Sequence, residues 1–254
     1  MRVAFVTHQL PDGRDDHGPG LLKGRYAGGA EMSTEELLAQ APDGFEVTVF
    51  RPEQGLPDAR SFDQVIVGAT ERLTDEQVES LAVWEPVVWV RSPQPRRMLR
   101  LLEAASVLVM PSPEMVGWHH WVNRDMMVCP APMDTSLIPR GVPKEDFALW
   151  AGRDHPLKGR WDAVAWAMNA GIKMVSLTNQ PRQVVLEHMS RASVFVHLPH
   201  NQDPCPRTVI EAEIAGCEIV VNENVGRVPV RGADEVAAYV EGAAGRFWGW
   251  VRDS

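Results

Sequence analysis

The chain has 254 residues, an apolar content of 44% and a net charge of −9. That is enough for one large domain or two small ones with a sizeable core. The charge argues against a general nucleic-acid binder, though not against a local basic groove. Three cysteines, Cys129, Cys205 and Cys217, are widely spaced without a C-x-x-C. They suit reduced thiols in a cytosol and give no zinc pattern. The N-terminal apolar run is too short for a signal segment and no run approaches a membrane span, so the expected location is cytoplasmic.

In chain order, Val3–Thr7 reads as a buried strand, followed by a Gly-, Asp- and Pro-rich loop from His8 to Ala27. Gly28-Gly29-Ala30-Glu31 then opens a helix to about Gln40. Strands are expected at Phe45–Phe50, Phe62–Gly68, Val87–Arg91 and Val107–Met110, with a short one at Met127–Cys129. Helices are expected at Thr74–Val83, where Thr74 and Gln77 form a capping box, at Arg96–Ala104 and at Pro113–Val122. Asp134 to Asp146, with Pro139, Gly141 and Pro143, reads as a linker.

A second alternating set follows: strand Phe147–Ala151, helix Trp161–Asn169, strand Lys173–Leu177, helix Pro181–Arg191 and strand Val194–Pro199. A polar loop, a helix opening near Pro206, strand Glu218–Asn222 and a final helix from Asp234 to about Val251 complete it. Short apolar runs alternating with helical patterns argue parallel sheets. The expected architecture is α/β: two Rossmann-like domains, residues 1–142 and 143–254, with parallel sheets facing a cleft. The final helix is expected to pack back on the first domain.

Within Val194–Gly226, Asp203 falls in the loop and Glu211 about one turn into the following helix, eight residues later. Two carboxylates thus stand at the carboxyl end of a strand beside a helix N-terminus, where α/β sheets bind ligands and phosphate is favoured. Directly after the Phe147–Ala151 strand, Gly152-Arg153-Asp154-His155-Pro156-Leu157-Lys158-Gly159 brings two cations to another strand end. Alone, that segment reads rather as an ordinary loop with solvated charges.

These residues resemble the donor site of retaining glycosyltransferases of the GT-B fold, the group often called glycosyltransferase family 4. Their signature is an acidic residue, seven residues, Glu-Ala-x-x-x-Gly; here it is Asp203 through Glu211-Ala212-Glu213-Ile214-Ala215-Gly216. The Gly152-Arg153 to Lys158-Gly159 segment resembles their Gly-Arg…Lys-Gly segment. The resemblance is strongest from Phe147 to Gly226. It implies transfer of a hexose-type sugar from a nucleoside-diphosphate sugar, such as UDP-glucose, to an acceptor hydroxyl, with retention and without a metal or other cofactor. The donor is then a co-substrate. Arg153 and Lys158 would stabilise the departing diphosphate, Glu211 would take the ribose hydroxyls and Asp203 would meet the sugar. Arg153, Lys158 and Asp203 are the expected catalytic group. Thr178 and Asn179, with Ser176, would lie near the base, and Gly28 and Gly29 would let the backbone approach the phosphates.

There are departures from the pattern. The family's first carboxylate is usually Glu, and Asp203 is one methylene shorter. Its Gly-aromatic-Gly loop is here Pro204-Cys205-Pro206. The prolines have no N–H, which leaves Cys205 and Arg207 as backbone donors.

On the acceptor side, Arg91 stands where relatives carry a histidine. Arg96, Arg97 and Arg100 share a helix face, and read either as a solvated face or as a platform for a phosphate-bearing acceptor such as DNA. His119 reads as structural or as lining the acceptor side. Trp84, Trp89, Trp150, Trp161 and Trp166 read as packing; Trp118, Trp121, Trp248 and Trp250 as freer for stacking. Asp12, Asp15, Asp16 and His17 read as solvated rather than metal-binding. Three alternatives stay open: a phage-type transferase acting on a hydroxymethylated DNA base, a non-catalytic nucleotide-sugar-binding module, and a nicotinamide enzyme using Gly18–Gly24. No P-loop pattern is present.

Overall fold

The computed structural model describes residues 1–8, 29–68, 70 and 72–254. Gly28, the Gly18–Gly24 stretch, and Asp12, Asp15, Asp16 and His17 lie outside the described residues. The chain divides into two compact units. The first contains β1 (Arg2–Val6), α1 (Gly29–Ala39), β2 (Glu46–Phe50), β3 (Gln64–Val67), α2 (Asp75–Ala82) and β4 (Val87–Trp89). It continues with α3 (Leu99–Ala104), β5 (Val107–Met110), α4 (Pro113–Trp118) and β6 (Met126–Val128). Its sheet is parallel throughout, in the order β2-β1-β3-β4-β5-β6. The capping box of α2 is formed: Thr74 Oγ1 accepts from Gln77 N–H, and the Gln77 side chain accepts from Thr74 N–H.

The second unit contains β7 (Glu145–Gly152), α5 (Arg160–Ala170), β8 (Lys173–Thr178), α6 (Arg182–Arg191), β9 (Ala192–His197), α7 (Arg207–Ile214), β10 (Glu218–Val221) and α8 (Ala233–Glu241). Its parallel sheet runs β10-β9-β7-β8. The chain passes from β7 to β8 on one side, then returns across β7 to place β9 on the other. The reversal makes the carboxyl ends of β7 and β9 a topological switch point, where loops diverge and leave a crevice. Among the described residues no helix is long and apolar enough to cross a membrane.

The strands read as unbroken apolar runs because both faces of each sheet are covered. Val3 and Phe5 pack on one side of β1 with Leu37 and Trp248, while Ala4 and Val6 pack on the other with Leu81 and Leu101. In β7, Leu149 joins Phe195 and Ile210 on one face; Ala148 and Trp150 meet Ala163 and Ala167 of α5 on the other.

Three expectations change here. The single final helix is broken at Gly242, so α8 packs in the second unit's core, and α9 (Ala243–Asp253) packs in the first unit's core. Glycine is a poor helix interior residue and permits the break. Trp248, expected to be free for stacking, is fully buried, and its indole N–H donates to Leu37 O at 3.0 Å. Trp161, expected in the core, is 70% exposed, because α5 faces the sheet with the small side chains of Ala163 and Ala167.

Candidate functional site

The site is built in the second unit, on the loops that leave β7, β8, β9 and β10. The loop after β7 is anchored from below: Trp150 Nε1 donates to Lys158 O at 3.2 Å. It is anchored sideways to the loop after β9, since His200 N–H donates to Leu157 O at 2.9 Å. Gly159 makes the approach feasible. Its φ is +68°, and a Cβ there would lie 1.8 Å from Leu198 O, so no side chain fits without moving backbone. Lys158 thereby leaves a 3₁₀ turn, Pro156–Lys158, at a fixed place beside β9.

The loop after β9 is held from the other side. The amides of Asn222 and Asn224 each donate to Pro199 O at 2.9 Å. Asp203 is sewn to the segment after β10: its N–H donates to Asn224 O at 2.7 Å, and its carbonyl accepts from Gly226 N–H at 2.9 Å. A carboxylate on so short a loop is normally mobile; these backbone bonds fix it.

The structure brings Lys158 and Asp203 together. Lys158 Nζ donates to Asp203 Oδ2 at 2.7 Å, and His197 Nε2 lies 3.1 Å from the same oxygen. The Asp203 side chain is 15% exposed and that of His197 4%. Burial pushes the Asp203 carboxyl up, but the His197 hydrogen bond and the Lys158 charge outweigh it and hold the group at about 2. Asp203 is therefore a carboxylate at any physiological pH. Its other oxygen, Oδ1, has no protein partner among the described residues.

Glu211, on the first turns of α7, is 5% exposed and paired with Arg182: Arg182 Nε donates to Glu211 Oε1 at 2.9 Å. Glu211 Oε2 again lacks a protein partner among the described residues. Arg182 Nη2, His197 Nδ1 and Thr178 Oγ1 are buried with no hydrogen-bond partner among the described residues. All three residues stand at the carboxyl edge of this one sheet, where unmatched buried polar atoms point to a ligand. Asn179 takes a left-handed conformation (φ 51°), donates its N–H to Gly152 O at 3.0 Å and accepts from Asp154 N–H at 3.3 Å. It thus ties the loop after β8 to the loop after β7. No side chain caps α7, and Arg207 at its first turn is buried. Cys205 is half-buried. The Arg153 side chain is exposed and makes no hydrogen bond among the described residues.

The residues expected on the acceptor side lie in the first unit. Arg91 donates to Gly68 O at 2.9 and 2.6 Å and to Thr34 Oγ1 at 2.6 Å, and its guanidinium lies 4.5 Å over the Trp89 ring. Arg97 donates to Leu73 O and faces Asp75 at 3.4 Å; Arg100 meets Glu79 at 3.1 Å. Arg100 ties α3 to α2, Arg97 ties the 3₁₀ turn before α3 to the start of α2, and Arg96 stays exposed. His119 is buried with both ring nitrogens engaged: Nδ1 at 2.8 Å from Met115 O, and Nε2 accepting from Gln94 N–H at 3.0 Å. Burial holds its pKa below the usual histidine range, partly offset by the Met115 bond. Gly29 begins α1. Among the described residues no group of three or more His, Cys, Asp or Glu gathers as a metal site.

Sequence reasoning missed His197, Arg182, Asn222 and Asn224. His197 had a signal, being the one polar residue of Val194-Phe195-Val196-His197. Arg182 had none, because its partner lies 29 residues away.

No protein-family model matches the chain, and no curated protein matches it by sequence. Solved structures do match it by shape. Sucrose-phosphate synthase from Thermosynechococcus elongatus superposes with a TM-score of 0.60 at 14% identity, over 99% of this chain and 91% of that one. AviGT4, a glycosyltransferase involved in avilamycin A biosynthesis, gives 0.57 at 18% identity, over 99% and 94%. HepE from Anabaena, in complex with UDP-glucose, gives 0.52 at 12% identity, over 99% and 95%. The chain has the fold of these GT-B proteins: two Rossmann-like units, each with a parallel sheet, of six and four strands.

Proposed function

We propose that this chain is a glycosyltransferase that moves a sugar from a nucleoside-diphosphate sugar to an acceptor hydroxyl, with the donor held on the second unit. One observation carries the reading. At the switch point, Lys158 and Asp203 meet at 2.7 Å, and each retains capacity for a ligand. The ammonium has three donors and uses one on Asp203. The fold shared with AviGT4 and with UDP-glucose-bound HepE supports it, and makes a uridine-diphosphate sugar the first donor to test.

In this reading Lys158 and Arg153 face the diphosphate, assisted by the uncapped N-terminus of α7. Glu211 Oε2 accepts from a ribose hydroxyl, and Arg182 holds the carboxylate in place. The backbone around Thr178 and Asn179 borders the base. Cys205 and Arg207 border the diphosphate at this turn. Asp203 Oδ1 accepts from a sugar hydroxyl. Because Asp203 stays ionised, it is not the acid for the leaving group. The departing diphosphate's charge falls on the two cations instead. The bond from the anomeric carbon to the phosphate oxygen breaks and a bond to the acceptor oxygen forms on the same face. The acceptor's proton passes to the departing phosphate, so configuration is retained and no metal takes part.

The test is thermal unfolding with UDP-, GDP-, ADP- and TDP-sugars, with released nucleotide assayed with and without candidate acceptors, hydroxymethylated DNA among them. The expected result is a melting shift with one donor and nucleotide release that Lys158→Ala lowers by about 10²–10³-fold. Binding without release would make the chain a nucleotide-sugar-binding module. Neither shift nor release at millimolar donor overturns the reading.

A further inference from the structure

Strand β9 is buried along Val194-Phe195-Val196, and its last residue, His197, is 3% exposed. Next to it on β10 stands Val221. A polar ring in such surroundings costs free energy unless a hydrogen bond compensates it. The compensation comes through Nε2, which lies 3.1 Å from Asp203 Oδ2. To donate there, the ring carries its proton on Nε2. Nδ1 is then a bare lone pair, which fits a buried nitrogen without a partner among the described residues.

Lys158 and His197 thus converge on one oxygen from separate elements, the 3₁₀ turn after β7 and the end of β9. An ionised carboxylate oxygen has two lone-pair directions, and here both are taken. With the Asp203 backbone bonded to Asn224 and Gly226, the carboxylate plane is set and Oδ1 is the oxygen left over. The two donors are not equivalent. The Lys158 side chain is 40% exposed and flexible, and in the proposed reaction it is drawn toward the diphosphate; His197 is locked in the core.

We infer that His197 is a positioning residue for the donor's sugar: it holds Asp203 Oδ2 so that Oδ1 meets a sugar hydroxyl when the diphosphate competes for Lys158. The inference rests on the donor-site reading above. It makes a specific division of labour: His197 serves the sugar and leaves the nucleotide untouched.

The experiment is calorimetric titration of wild type, His197→Gln, His197→Asn and His197→Phe with UDP and with UDP-glucose, with melting temperatures in parallel. A glutamine amide reaches the place of Nε2; an asparagine amide, one methylene shorter, does not. Expected are UDP affinities within about twofold of wild type throughout, and UDP-glucose affinity and donor turnover reduced about tenfold in the Asn and Phe variants, as for loss of one hydrogen bond to a charge. Glutamine recovers most of both. If Phe at this buried site does not fold, the Gln and Asn pair decides the matter. An unchanged UDP-glucose to UDP ratio in Asn, or Gln no better than Asn, overturns the inference alone. Parallel loss of UDP and UDP-glucose binding in both amide variants marks a merely structural histidine and overturns it too. Wild type that binds neither ligand overturns the donor-site reading and this inference with it.

Discussion

The carboxyl edges of the two sheets carry similar polar groups and use them differently. In the first unit the polar groups singled out from the sequence are matched within the protein, although Trp89 Nε1 at the end of β4 is buried without a partner among the described residues. Arg91 is bonded to Gly68 and Thr34, Thr70 Oγ1 donates to Gln94, and both His119 nitrogens are engaged. In the second unit each of two carboxylates has one oxygen held by a cation and one without a partner among the described residues, and buried atoms of Arg182, His197 and Thr178 are likewise unmatched there. Residue types alone do not separate the two edges. What separates them is where the shortfall falls: in the second unit it falls on two buried carboxylates and the cation and ring beside them, in the first on a lone indole N–H.

The ion pairs differ in the same sense. Arg97–Asp75 and Arg100–Glu79 involve side chains 42 to 86% exposed, whereas Asp203 and Glu211 are 15% and 5% exposed. The sharpest way to break the comparison is Arg182→Ala. It leaves Glu211 buried without its cation, and a loss of about 3–5 kcal/mol is expected in chemical denaturation. A loss under about 1 kcal/mol would place the pair with the surface ties of the first unit.

The next effect is in acid. The Asp203 carboxyl, 3.8 when unperturbed, sits at about 2 in the folded chain. A depressed folded value gives stability that is complete above the unfolded value and is lost as pH falls toward the folded one. Wild type should therefore be more stable than Asp203→Asn by about 2 kcal/mol near pH 6 through this linkage. The gap should close as pH falls from about 4 to about 2. A gap that does not narrow over that window would show that Asp203 is not held by charge. The smallest effect is Arg100→Ala, expected to change stability by less than about 1 kcal/mol, because its pair with Glu79 is exposed and screened. A larger loss would mean that the α2–α3 tie matters more than its exposure implies.

Much of this was legible in the residues. Unbroken apolar runs alternating with helical patterns marked two parallel-sheet units, since strands covered on both faces leave no polar alternation. Lys158, Asp203 and Glu211 stood out because they follow strand ends and because their segments resemble the Gly-Arg…Lys-Gly and acidic-x7-Glu segments of GT-B glycosyltransferases. The tryptophans were legible only in part. Trp161 lies in an apolar-looking helix, but α5 approaches the sheet through alanines; Trp248 sits near the chain end, but the break at Gly242 turns α9 into core.

Local sequence, then, carried the element types and the strand-end positions of the cations and carboxylates. These are short-range consequences of backbone geometry and burial period. Which groups are already matched was decided only in three dimensions. Arg182 reaches Glu211 across 29 positions, Lys158 reaches Asp203 across 45, and Arg91 reaches Thr34 across 57. Hydrogen-bond balance at a sheet edge depends on which strands become neighbours, and one chain position says nothing about a partner that the crossover connections place beside it.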